Sequence, residues 1–502
     1  MPNSGRYSQI LRASSLIGGS QAVNMVFGLV RTKLIAVMIG PAGIGLIGAF
    51  QSIIGLASTL AGLGIHQSGV RDVAVAAGKD DQEKLGRTVL TLRRVCWLSG
   101  LIGFSILFFA GPWICHYTFE NNHHVNSIRI IGLTLLLGNI TAGQAAIIQG
   151  TRRIGDIARI AIIGSISSTF ISGIAYYTLG IDGIAPAMLC ISIATLTVST
   201  FYARQVEVPQ VNMTWMESLT LAGGLFSLGF AFLWTGLLTT FVTYLTNAIV
   251  AREIGMDAVG VYAAAFTLSG LFVQFVLKAM SADYYPRLTQ ASNDNEQMNV
   301  LINEQTEIGL LLAFPGLLAT LSLAPIAIRV LYTSEFLQSA ELLRWFILGC
   351  MGRIISWPMG FAMLAKGKGG LFAFAQTFFN AIHLLLIVVG VRWFGVAGVA
   401  IAFFGLYAIH VPAVLFITRT LTGFMWHPPV LALFYWMAPV AIACLLMSLY
   451  LPREFSPIPC MMVSIGSGVH SLRQLIVRVG PGNRIAQFTT GLPGGKWLLR
   501  GL

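Results

Sequence analysis

The sequence predicts an all-α polytopic membrane protein, and three observations support this fold class. Of the 502 residues, 56% are apolar and only 10% are charged, whereas soluble proteins are about a quarter charged. The mean hydropathy of +0.77 means that most of the surface must face lipid. Apolar stretches of about 20 residues, enough for a helix to cross a bilayer, recur along almost the whole chain. The alternation expected of a membrane β-barrel does not occur in the sequence.

The apolar stretches define the predicted helices in order. They are 10–38, 43–65, 92–114, 128–150, 157–179, 183–203, 219–251, 258–280, 306–331, 341–364, 371–391, 396–418, 431–451 and 457–479. His470, Arg473 and Arg478 interrupt the last stretch, so the sequence leaves open whether there are 13 or 14 spans. The first residues contain no small-residue cleavage site and are expected to lead into the first helix.

Basic residues fall mainly on one side of this map. With a cytoplasmic N-terminus, Lys and Arg concentrate in the loops on the cytoplasmic side. The opposite loops hold few, chiefly Arg252, Arg329, Arg344, Arg392 and Arg453. We therefore expect both termini in the cytoplasm, with 480–502 as a cytoplasmic tail. The same bias explains the net charge of +12 without a nucleic-acid partner.

A repeat at an offset of 215 residues runs through the chain. Gly40 and Gly45 align with Gly255 and Gly260, each pair in a turn before an apolar helix. The other aligned loops are 77–84 with 292–299, 150–156 with 365–371, and 179–185 with 394–400. One offset that serves four turns indicates a duplication.

The repeat predicts the domain organisation. An N-terminal six-helix bundle is expected over 1–205 and a C-terminal six-helix bundle over 215–420. Because each half contains an even number of helices, both halves have the same orientation in the membrane. We therefore expect a pseudo-two-fold axis along the membrane normal to relate them. One or two additional transmembrane helices follow in 430–479.

The segment "GIGLIG" (43–48) matches the G-x-G-x-x-G pattern of dinucleotide-binding proteins. That pattern requires a strand before it and an acidic residue about 20 positions on, and this segment opens a membrane helix with no such acid. The aligned segment of the second half keeps the glycine spacing of the turn but not the pattern. These glycines are therefore interpreted as a tight turn that lets helices approach closely.

The segment "KLIAVMIGPAGIGLIGAFQSIIGLASTLAGLGI" (33–65) resembles the Wzx-type O-antigen and lipid-linked oligosaccharide flippases. These form the polysaccharide transporter branch of the multidrug/oligosaccharidyl-lipid/polysaccharide exporter superfamily. The "GPAGIGL" turn, with Lys33 seven residues before Gly40, carries the resemblance most clearly, and helix count and loop pattern extend it over 1–420. The glycine-rich segment after about 452 departs from the family pattern.

The resemblance implies a two-bundle transporter and not an enzyme. Its substrate would be an undecaprenyl-diphosphate-linked glycan, moved across the bacterial inner membrane by alternating access. A glycan polymerase and a chain-length regulator are candidate partners beside the lipid bilayer. No cofactor is implied, and a proton or sodium gradient is the candidate driving force.

An anionic lipid diphosphate requires cations in or near the membrane, where a charge is costly. Arg31 and Lys33 lie late in the first helix, Arg252 lies at a corresponding place in the second half, and Arg353 lies near the middle of its span. A guanidinium can hold a phosphate through two hydrogen bonds. These four residues are the predicted substrate-binding cations. The alternatives are a salt bridge of Arg31 or Lys33 with Glu253, and snorkelling to the interface.

A second set of residues is predicted to gate or couple transport. Arg71 and Asp72 after the second helix correspond in position to Lys278 and Asp283 in the second half. Glu307 and His383 are candidates for protonation during transport. The alternatives are ordinary loop charges for the first four, a helix N-terminal charge for Glu307 and a packed histidine for His383.

Two other functions compete with glycan flipping. A multidrug exporter would share the fold, but an acidic cavity would suit drug cations, and the deep charges here are mainly basic. An integral-membrane glycosyltransferase or polymerase generally needs catalytic residues on a substantial loop, and the loops of this chain are short.

Overall fold

The computed structural model describes residues 4–62, 65–78, 82–151, 153–209, 211–226, 230–450 and 457–479. Regular structure within these ranges is helical, which confirms the predicted all-α class. Nine stretches of the described residues are long and apolar enough to cross a membrane, the longest being Gly155–Arg204. The chain is therefore a multi-pass membrane protein.

Packing divides the chain into two compact units. The first comprises Met1–Gly260 with Leu331–Thr333, and the second comprises Val261–Val330 with Ser334–Leu502. The predicted bundles with bounds 1–205 and 215–420, and the axis that would relate them, stay predictions. The predicted tail, 480–502, lies outside the described residues.

The first unit begins with a long bent helix. Its helices are α1 Ser4–Gly62, α2 Ile65–Gly78, α3 Gln82–Phe119, α4 Val125–Gly150, α5 Ile154–Leu179, α6 Ile184–Arg204, α7 Trp215–Phe226 and α8 Phe230–Glu253, followed by the first turn of α9, Met256–Gln290. The predicted first and second spans form α1, whose two parts meet at Gly40 with a φ of 60°. Pro41 follows and has no N–H for the helix, so the axis bends there. The part of α1 after Gly40 packs against α8. Helix α1 also packs along α5.

One element of the first unit differs from the predicted spans. Residues 66–78 are helical, as part of α2, where the sequence predicts a loop. Within the predicted span 219–251, the described residues are helical and belong to α7 and α8. At the start of α7, the Thr214 hydroxyl accepts from the N–H of Glu217, and the Glu217 carboxylate accepts from the N–H of Thr214. This reciprocal pair is a capping box and fixes where α7 begins.

The second unit contains the remainder of α9 and nearly all of the later helices. They are α10 Asn295–Leu331, α11 Ser339–Ala365, α12 Gly369–Phe394, α13 Ala397–Thr422, α14 Pro428–Tyr450 and α15 Pro457–Val479. Helix α13 packs closely against both α11 and α12. Tyr284 is buried in this core, and its hydroxyl donates to the carbonyl oxygen of Pro358 at 2.8 Å. This hydrogen bond joins α9 to α11 beside a proline of the membrane helix.

In α15, the last helix within the described residues, polar side chains face inward and apolar side chains face outward. Ser464, Ser467 and Ser471 are buried, whereas the apolar Met462 and Ile465 are 69% and 60% exposed. Ser464 donates to the carbonyl oxygen of Pro315 on α10 at 2.9 Å. A helix that places serines inward and aliphatic side chains outward is suited to lipid rather than to water.

Candidate substrate pathway

Arg31 lies half-buried on α1, nine residues before the bend at Gly40. Its Nε atom is buried without a hydrogen-bond partner. The hydroxyl of Tyr176 on α5 lies close enough to interact with the guanidinium. Among the described residues, no carboxylate lies within salt-bridge distance of Arg31. The predicted substrate cation thus has a tyrosine hydroxyl as a neighbour, and no carboxylate of the described residues.

Lys33 has a backbone partner far away in the sequence. Its ammonium donates to the carbonyl oxygen of Tyr332, which belongs to the same compact unit. Tyr332 is itself buried. Part of the charge of Lys33 is therefore used to hold the segment Leu331–Thr333 against α1.

Arg252, at the end of α8, forms an ion pair with Glu120, a partner that the sequence analysis did not consider. Nε and Nη2 of Arg252 donate to Oε1 of Glu120 at 3.0 and 2.8 Å. The guanidinium also lies over the ring of Tyr117, 5.4 Å from its centroid. Arg252 is therefore already neutralised, unlike Arg31.

Arg353 lies half-buried on α11, where this helix is in close contact with α13. The adjacent Gly352 has no space for a Cβ, which would lie 2.8 Å from Cβ of Tyr407. The Arg353 charge acts on the Tyr407 hydroxyl and on the Cys350 thiol. Within the part of the chain that the structure describes, Arg353 has no carboxylate in salt-bridge range. Among the described residues, the structure thus provides a tyrosine beside Arg353, and not a carboxylate.

Two histidines lie among aromatic rings near this arginine. His383 on α12 is 6.1 Å from the ring of Phe403, and its Nε2 is buried without a partner. His410 on α13 packs against Phe379 at 4.5 Å and Tyr407 at 5.6 Å. These contacts are those of packed histidines, and the coupling role of His383 stays a prediction.

The other predicted gating residues are distributed over both units. Glu307 on α10 forms an ion pair with Arg478 on α15. Asp72 lines a pocket of about 240 Å³ together with Lys84, Thr88 and Thr91. The side chains of Arg71, Lys278 and Asp283 lie outside the described part, so their predicted pairing stays a prediction.

The sequence analysis did not identify the tyrosines or the acid beside the cations. Tyr176 and Tyr407 lie in apolar spans and look like ordinary aromatic residues of a membrane helix. Glu120 lies in the short loop after α3, where a charge is unremarkable. Only the packing of α5, α13 and α8 brings these residues to Arg31, Arg353 and Arg252.

Helices with lipid-compatible surfaces and arginines held within them define a polytopic membrane transporter. The sequence profile of the family described as "polysaccharide biosynthesis protein" matches residues 34–341, and the chain belongs to this family. The chain is also 24% identical over 419 residues to the lipid III flippase of Escherichia coli (strain K12), covering 80% of this chain and 96% of that protein. The lipid III flippase of Shigella flexneri matches to the same extent. The resemblance inferred from residues 33–65 is confirmed.

Solved transporter structures share the fold. The lipid II flippase MurJ in an inward closed conformation superposes with a TM-score of 0.68 at 14% identity, covering 93% of this chain and 99% of that chain. An inward-facing multidrug resistance MATE family transporter of the MOP superfamily gives 0.65 at 15% identity, covering 80% and 96%. At these identities the similarity establishes the fold alone.

Proposed function

We propose that this protein is a flippase that carries a lipid-linked oligosaccharide across the bacterial inner membrane by alternating access. Its substrate is an undecaprenyl-diphosphate-linked glycan, such as an O-antigen unit or a related surface glycan. The observation that carries the proposal is the presence of Arg31 and Arg353 in membrane helices without a carboxylate partner among the described residues.

The cost of these arginines supports an anionic substrate. A guanidinium in a membrane helix costs at least about 2.5 kcal/mol on insertion scales when no partner neutralises it. Each arginine lies near a tyrosine hydroxyl, which is neutral and does not cancel the charge of the guanidinium. A diphosphate offers oxygen pairs that match the planar fork of arginine. A drug cation would be repelled by the same groups, so the embedded charges favour a glycan flippase over a multidrug exporter.

The remaining predicted residues have supporting roles in this proposal. Lys33 and Arg252 hold Tyr332 and Glu120, and would contact the diphosphate of the substrate only if those partners are exchanged. Asp72 with Arg71, and Lys278 with Asp283, would act at the cytoplasmic gate. In this proposal both termini lie in the cytoplasm, and a proton or sodium gradient drives the transport cycle. A polymerase and a chain-length regulator act on the glycan after export.

Reconstitution of the purified protein tests the proposal. Liposomes would contain undecaprenyl diphosphate that carries one fluorescent N-acetylglucosamine, and a membrane-impermeant quencher would report which leaflet holds the label. Arg31→Lys and Arg353→Lys retain charge but lose the planar fork, so we expect at least a tenfold loss of rate per inserted molecule. Arg419→Lys, at an exposed position late in α13, is the matched control and should transport like the wild type. Wild-type rates in Arg31→Ala and Arg353→Ala would contradict a role for these arginines in substrate binding.

A further inference from the structure

A pocket of about 650 Å³ lies at the end of α3, where it meets α8 and the loop before α4. Its wall contains three aromatic residues, Trp113, Tyr117 and Tyr244. His116, Asn122 and Arg252 add polar groups to the same pocket. Ligand sites are commonly apolar concavities of this size with a few placed polar groups.

Two residues of the aromatic wall, Tyr117 and Tyr244, are fixed by several contacts. The rings of Tyr117 and Tyr244 are stacked, with centroids 6.4 Å apart and planes 26° apart. The Tyr244 hydroxyl is hydrogen-bonded to that of Thr118 at 3.1 Å. Arg252 covers Tyr117 and is in turn held by Glu120 at 2.8 Å. Such rigid rings can bind a ligand with little loss of side-chain entropy.

The backbone at Glu120 is consistent with a site. Glu120 follows the last residue of α3 and has a φ of 58°, a conformation that usually requires glycine. Its N–H still donates to the carbonyl oxygen of His116 at 3.0 Å, so the helix ends as it would with glycine. The side chain that glycine would lack is the one that positions Arg252. Strained residues of this kind occur at binding sites.

We infer that this pocket binds a sugar ring of the transported glycan, beyond the sugar attached to the diphosphate. The apolar face of a pyranose packs on an aromatic ring, while its hydroxyl groups need planar polar partners. Asn122, His116 and the Arg252–Glu120 pair supply such donors and acceptors at the edge of the aromatic wall. A lipid tail would use the rings but would leave these polar groups without partners. The inference rests on the proposed function and assigns a part of the substrate to this pocket.

Trp113 raises an alternative explanation, because its side chain is 83% exposed. Tryptophan and tyrosine commonly anchor helices at the membrane–water interface, with no ligand involved. Trp393, 77% exposed at the end of α12, offers a matched control because it lies outside the pocket.

The test compares two probes in the reconstituted system. One is undecaprenyl diphosphate with a single N-acetylglucosamine, and the other carries a tetrasaccharide on the same lipid. Trp113→Ala and Tyr117→Ala are expected to lower the ratio of tetrasaccharide to monosaccharide transport about tenfold, the effect of losing one stacking contact. Trp113→Phe keeps a ring and should retain most of the ratio. A ratio does not depend on how much of a variant folds.

Three results would overturn the inference. If Trp113→Ala slows both probes equally, the aromatic residues act as interface anchors. If Trp393→Ala changes the ratio as much as Trp113→Ala does, the effect is not specific to the pocket. If the wild type moves neither probe, the proposed function itself fails. Equal slowing of both probes leaves the proposed function intact, so the two failures are distinguishable.

Discussion

Gly45 and Gly260 each lie directly against the turn that contains the other. A Cβ on Gly45 would lie 2.1 Å from the carbonyl oxygen of Met256, and a Cβ on Gly260 would lie 2.0 Å from that of Pro41. With the offset of 215 residues, Met256 corresponds to Pro41 and Gly260 corresponds to Gly45. The sequence repeat therefore converts each of the two contacts into the other. A contact that maps onto itself in this way is a property of a two-fold relationship. This reciprocity supports the proposed duplication.

We expect Gly45→Ala and Gly260→Ala to destabilise the protein to a similar extent. The added methyl group would overlap a backbone carbonyl that cannot rotate away, so each change should cost about 1–3 kcal/mol. Thermal melting in detergent measures the effect. Gly164→Ala on α5 is the control, since its Cβ would meet nothing within 4 Å, and it should be neutral or slightly stabilising. Normal melting of both turn variants would contradict the close approach.

Replacing Glu120 separates backbone strain from the ion pair. Glu120→Gly loses an exposed pair with Arg252, worth about 0.2–1 kcal/mol, but relieves about 1–2 kcal/mol of left-handed strain. Its melting temperature should therefore equal or exceed that of the wild type. Glu120→Ala loses the pair and keeps the strain, so it should melt at a lower temperature. The opposite order of the two variants would argue against strain at this residue.

His124, in the loop before α4, should make the free energy of unfolding depend on pH. Burial lowers the pKa of His124 below its ordinary value of 6.5, the nearby His123 lowers it further, and Asp182 opposes them. His124 packs between Phe119, at 4.9 Å, and Phe50, at 6.1 Å. Below about pH 6.5 the unfolded histidine binds a proton more readily than the folded one, so stability falls as the pH falls; above that pH it stays level.

Melting curves between pH 5 and pH 8 would measure this dependence. His124→Gln should reduce the loss of stability at low pH, because the titrating group is removed. His123→Gln changes an exposed neighbour and should keep most of the dependence. An unchanged pH profile in His124→Gln would exclude this histidine as its source.

The polarity of α15 predicts how charges are tolerated there. Ile465 is 60% exposed, and Ile465→Lys should reduce the amount of inserted protein, because lysine costs up to about 3 kcal/mol at the centre of a membrane helix. Met425 is 65% exposed in the loop between α13 and α14, and Met425→Lys should insert normally. Membrane fractionation followed by quantification of the protein distinguishes the two. Equal insertion would mean that this face of α15 contacts water.

If α15 spans the membrane, the number of spans is even. Alkaline phosphatase fused after Leu502 should then be inactive, because the enzyme folds only outside the cytoplasm. A fusion within the loop 120–124 should be active. High activity at residue 502 would contradict the proposed orientation.

The sequence predicted the helices better than it predicted the partners of their charges. The long apolar stretches correctly predicted helices α3 to α6 and α10 to α14. The first two predicted spans, however, belong to one helix that bends at Gly40. Arg31, Lys33 and Arg252 were recognised because charges are rare in apolar spans. Their partners Tyr176, Tyr332 and Glu120 were missed, because tertiary packing selects them over separations of up to 299 residues. A charge within a membrane helix can thus be located from the sequence, whereas the partner that the fold brings to it cannot.

The serine face of α15 has a consequence for biogenesis. As it leaves the translocon, this segment carries serines, a histidine and two arginines, so it is only weakly drawn into lipid by its own hydrophobicity. The partners that satisfy it, Pro315 and Glu307, lie on α10, which is synthesised well before it. Insertion of α15 therefore depends on helices that already occupy the bilayer. We expect α15 to enter the membrane by packing onto α10 rather than by partitioning into lipid on its own.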